Sequence, residues 1–93
     1  MDIVIHRVNT IAGIQDVDRS FGAEIDVRAW GSELILNHEP FAQGDTLAGF
    51  LEVYEHGLLV LNIKEAGIED ETLRLVREAG VDRFFLLDVE FPY

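Results

Sequence analysis

Strand-like runs and helix-period segments alternate along this chain, and that order restricts the fold more than any single motif does. Residues 2–6 (DIVIH), 23–28 (AEIDVR), 58–64 (LLVLNIK) and 83–89 (RFFLLDV) are short and rich in apolar, β-branched or aromatic side chains, the composition of strands. Between them lie segments of helical period. Asn9 or Thr10 can cap the first, in which Ile11, Ile14, Val17 and Phe21 share a face and Gly22 is the stop. Asp45 and Thr46 precede the second, with Leu47, Phe50, Leu51 and Tyr54 on one side and Gly57 closing it. Asp70 opens the third, with Leu73, Val76 and Ala79 inward and Gly80 at its end. Strands separated by helices of this length form right-handed βαβ units in a mostly parallel sheet. One further run, residues 33–38 (ELILNH), follows Trp30-Gly31-Ser32. It is expected to lie beside the second strand or to extend it.

Ninety-three residues make a single domain, 1–93, and a chain of this size buries about two thirds of its unfolded surface. Hydrophobic residues are 48% of the total, enough for a packed core. Eighteen acidic against seven basic residues give a net charge of −11. That field repels phosphate backbones and anionic lipid, so nucleic acid is not an expected partner, and it favours divalent cations. The absence of cysteine excludes disulfides and thiolate metal sites. The opening MDIVIH is too short and too acidic for a signal peptide, and no stretch reaches the length of a membrane span. The expected location is the cytoplasm. A complete eight-stranded α/β barrel takes about 250 residues, so the fold expected is an α/β partial TIM-type barrel, about half of one. The last strand has no helix after it in this sequence. Either a longer chain supplies the missing C-terminal half or a second copy completes the sheet as a homo-oligomer.

Alternate residues of a strand share a face. Ala23, Ile25 and Val27 point one way, and Glu24, Asp26 and Arg28 the other. Leu34, Leu36 and His38 share a face, as do Val60, Asn62 and Lys64, and His6 and Arg7 close the first strand. Singly, each polar residue has a plainer role: a wet strand face for Glu24 and Asp26, a structural hydrogen bond for a strand-end histidine. Trp30 reads as a turn residue packing on the strand pair, and His56, before Gly57, as a partner of a helix C-terminus. Glu69, Asp70 and Glu71 are a dipole-favoured helix start. As a set, His6, Arg7, Glu24, Asp26, His38, Asn62 and Lys64 arrive from four strands at the C-terminal rim, where barrel active sites are built.

The pieces "IHR", "GAEIDVR", "LILNHEP" and "LNIK", in that order, resemble the N-terminal half of the glycerophosphodiester phosphodiesterase family, within the phospholipase-C-like barrel phosphodiesterases. The resemblance implies a general acid and base pair at His6 and His38. It gives Arg7 and Lys64 to the phosphate, and it makes Glu24 and Asp26 carboxylates for a divalent cation, calcium or magnesium. The sequence departs from the family at three places. Val8 follows His6-Arg7 where glycine is usual, with Asn9-Thr10 close behind and no equivalent glutamate. Glu39 stands where aspartate follows the histidine, and Asn62 stands where Glu-x-Lys has its acid. Asparagine gives a hard cation a carbonyl oxygen but no charge. The function expected from the resemblance is metal-assisted hydrolysis of a small phosphodiester, glycerol-based or of lysophospholipid type. The alternatives are a non-catalytic half-barrel acting as a binding or self-associating module, and a plain structural α/β domain.

Overall fold

In a computed structural model that describes residues 2–40 and 42–87, the apolar runs become β1 (Val4–Ile5), β2 (Gly22–Trp30), β3 (Glu33–Leu36), β4 (Leu59–Ile63) and β5 (Phe84–Leu87). The helical segments become α1 (Ile11–Gln15), α2 (Leu47–Glu52) and α3 (Glu69–Glu78). The fold is α/β. One mostly parallel sheet runs β1-β2-β4-β5, and β3 is antiparallel to β2. The second strand and the LLVLNIK run are direct neighbours, Ala23–Val27 opposite Leu59–Ile63.

Strand β2 organises the sheet. Its first two residues pair with β1, while Val27–Trp30 turn back on β3 across Gly31 and Ser32. Gly31 has φ 62°, at the turn position where hairpins that follow the strand twist take glycine. Trp30 is therefore the last residue of β2, 40% exposed, rather than part of the turn.

Alternation sorts the side chains. Ala23, Ile25, Val27, Leu59, Leu61 and Ile63 are fully buried against Ile14, Leu47, Phe50 and Val76 from the three helices. The other face of the sheet carries Glu24, Asp26, Arg28, Val60, Asn62 and Lys64, then Phe85 and Leu87 of β5. At its far end, Arg83 Nη2 donates to Asp2 Oδ2 at 2.5 Å, which bridges the starts of the two outer strands and holds the Asp2 carboxyl below its usual range.

Several element boundaries differ from expectation. Helix α1 ends at Gln15, well before Gly22, because Asp18 folds the following residues into a turn by accepting from the Ser20 amide. Gly22 is the first residue of β2, where a Cβ would lie 2.2 Å from the Leu58 carbonyl oxygen. Thr46 caps α2, whereas Asp45 Oδ2 accepts from the Ile11 amide at 2.7 Å and ties α2's approach to α1. Helix α2 ends at Glu52, before Gly57. Tyr54 lies beyond it, buried, with its hydroxyl donating to Gly57 O at 2.7 Å. Helix α3 begins at Glu69 and turns Thr72 and Val76 inward, with Leu73 only half-buried and Ala79 exposed. Thr72 can face the core because its hydroxyl donates to Ile68 O at 2.8 Å. Residues 88 and 89 of the last expected strand lie outside the described residues. Among the described residues no helix is long and apolar enough to cross a membrane.

Candidate functional site at the strand C-termini

Strand β1 ends at Ile5, and the chain turns at His6 and Arg7. Arg7 has φ 51°, left-handed for a side chain with a Cβ, a conformation that costs about 1–2 kcal/mol. That turn leaves His6 84% exposed while it buries Val8, whose amide donates to Glu24 O at 2.9 Å. It also sets His6 Nδ1 3.0 Å from Glu24 Oε1. An ionised carboxylate only accepts, so Nδ1 is the donor in this contact.

Asp26 is the centre of the rim. It is 1% exposed, and a buried carboxylate must be hydrogen-bonded or paired. Asn9 meets it twice: Asn9 Nδ2 donates to Asp26 Oδ2 at 2.9 Å, and the Asp26 amide donates to Asn9 Oδ1 at 2.8 Å. Lys64 Nζ lies 3.6 Å from Oδ1, and His38 Nδ1 lies 3.7 Å from Oδ2. The second distance is too long for a hydrogen bond, and His38 Nδ1 is buried without a partner among the described residues.

The backbone fixes these approaches. The Asn37 amide donates to Asp26 O, and the Lys64 amide to Val27 O, which carries the ladders one step beyond the ends of β3 and β4. Arg28 then clamps the histidine's backbone, with Nε donating to Asn37 O at 3.1 Å and Nη2 to His38 O at 2.8 Å.

Of the residues expected to share a site, Asp26, His38 and Lys64 meet at one carboxylate, and His6 and Glu24 form an adjoining pair. Asn62 is in register with Asp26 on the neighbouring strand. Arg7 belongs to the turn and forms no ion pair with another described residue. Two residues were not recognised from sequence. Asn9 reads there as a helix cap, and only its position just behind the His-Arg turn hints at a second task. Arg28 reads as the outer end of a polar strand face. An open groove of about 450 Å³ borders Asn9, with Thr10, Asn37, Gln43 and Asp45 along it.

The donor set does not fit the divalent cation that the resemblance implies. A hard cation takes six or more oxygens, several of them charged. Here Asp26 Oδ2 is held by Asn9, Oδ1 faces the Lys64 ammonium, Glu24 is engaged by His6, and Asn62 is neutral. A comparison with protein-family models, curated proteins and solved structures finds no match.

Proposed function

We propose that the rim binds a small phosphodiester and hydrolyses it by proton transfer between two histidines. The observation that carries this reading is the arrangement around Asp26 of β2: a buried carboxylate flanked by Lys64, just past the end of the parallel β4, and by His38, just past the end of the antiparallel β3, beside a His6–Glu24 pair at the end of β1. Imidazole transfers protons well near neutral pH. With Nδ1 turned to Glu24, His6 Nε2 takes a proton from the attacking water. As the water oxygen bonds to phosphorus, the bond from phosphorus to the leaving alcohol breaks, and His38 protonates the departing alkoxide. Arg7 and Lys64 offset the charge that develops on the phosphoryl oxygens. A glycerol-based or lysophospholipid-type diester in the cytoplasm is the proposed substrate.

A non-catalytic, self-associating module is the second reading. Phe85 and Leu87, 45% and 39% exposed on the same sheet face, favour it. Turnover separates the two. The catalytic reading expects hydrolysis of glycerophosphodiesters, reduced about 10²–10⁴-fold by His6→Ala or His38→Ala. Failure of purified, folded protein to release alcohol from such diesters would overturn it.

A further inference from the structure

We infer that the Lys64 ammonium is this site's own cation, so that the rim engages a phosphoryl group without a divalent metal ion. The inference rests on the phosphodiester reading and specifies how that site handles charge. Three observations converge on it. Lys64 Nζ sits 3.6 Å from the Oδ1 of a carboxylate that is 1% exposed, and the Lys64 backbone is fixed by its amide bond to Val27 O. The sheet therefore fixes the point from which the side chain reaches Asp26. Asp26 Oδ2 already accepts from Asn9, and Glu24 Oε1 lies 3.0 Å from His6 Nδ1. Asn62, in register with Asp26, gives the neighbouring strand a neutral side chain where a third acid would demand a second positive charge. The ammonium offsets the buried carboxylate, and the remaining acid, Glu24, stands beside the neutral Asn62 as a single charged donor, short of the several charged oxygens that a hard cation takes. An ammonium has three donors. At 3.6 Å the ammonium pairs with Asp26 through charge, which leaves its donors for a phosphoryl oxygen on the open face of the sheet.

The test uses inorganic phosphate as the probe and thermal unfolding of the whole chain as the readout, since a ligand of the native state raises the melting temperature. Phosphate is expected to raise it equally in EDTA, magnesium or calcium, and either metal alone is expected to leave it unchanged. Lys64→Gln should weaken the phosphate half-saturation about tenfold or more, the scale of one hydrogen bond to a charged group, and Lys64→Arg should retain it. Lys64→Gln leaves Asp26 buried without its counter-ion and is liable not to fold. The double variant Asp26→Asn/Lys64→Gln removes both charges together and should fold without responding to phosphate. A phosphate response in the double variant overturns the inference. So does a response that appears only with a divalent cation and vanishes in EDTA, although the phosphodiester reading then stands. No response of the wild-type chain in any buffer overturns both.

Discussion

Asn9 holds Asp26 from two directions, through the carboxylate and through the backbone amide, so this neutral side chain joins the Lys64 ammonium in making a buried carboxylate tolerable there. Asn9→Ala should cost about 1–3 kcal/mol in urea unfolding, because a buried acceptor and a backbone donor are both left short. Asn9→Asp should cost more at neutral pH, since it sets a second carboxylate against the first. Like charge raises the pKa of such a pair, so the gap between the two variants should close as the pH falls. Tyr54 makes a different pH prediction. Burial pushes its phenol up to about 12, so the folded state resists ionisation. Below about pH 10 both folded and unfolded chains hold the phenol proton and the contribution is complete. Between about pH 10 and 12 the unfolded chain ionises first, and stability is lost. Tyr54→Phe should flatten that part of the alkaline limb when urea midpoints are followed against pH. It should also lose about 1 kcal/mol at neutral pH with the hydrogen bond to Gly57.

Two glycines at the ends of β2 separate two kinds of constraint. Gly22→Ala would drive a methyl group into the Leu58 carbonyl, an atom of the neighbouring backbone that cannot swing aside. Its cost in chemical denaturation should reach or exceed the upper end of the about 1–3 kcal/mol usual for overpacking. Gly31→Ala meets nothing within 4 Å and should cost only the strain of a positive φ, about 1–2 kcal/mol. The pair also shows why some boundaries were legible in the sequence and others were not. Thr10 and Thr46 cap their helices as local chemistry dictates. Gly22 looks like a helix stop by the same local rules, yet its reason is a strand that arrives thirty-odd residues later. On α3 Val76 is buried as expected, but Thr72 takes the inward place given to Leu73 and Ala79, because threonine reads as solvent-facing and Thr72 hides its hydroxyl in its own helix. The mostly parallel α/β arrangement and the polar face of β2 were legible, the one from the alternation of strand and helix, the other because a period of two needs no knowledge of neighbours. Asn9 was not, because its partner is across space.

At the scale of the molecule, β5 lies at the edge of the sheet among the described residues and exposes Phe85 and Leu87. Apolar side chains on an open edge invite pairing with another chain, while a net charge of −11 opposes it. Sedimentation should therefore show an oligomer that strengthens as salt screens the charge. Replacing Phe85 and Leu87 with lysine should return it toward monomer, and a wild-type monomer at high concentration and high salt would contradict the expectation. The double-edged pairing of β2 has a further consequence, for cooperativity. The hairpin to β3 is local, but Lys64 reaches Asp26 only when β4 has docked in parallel, after the intervening chain has closed its loop. No segment that opens or forms on its own contains the whole rim. An opening that detaches β4 removes Lys64 and leaves His38 in place, so native-state hydrogen exchange at the β4 amides and loss of ligand response should share one free energy, that of the cooperative unit spanning β2 and β4.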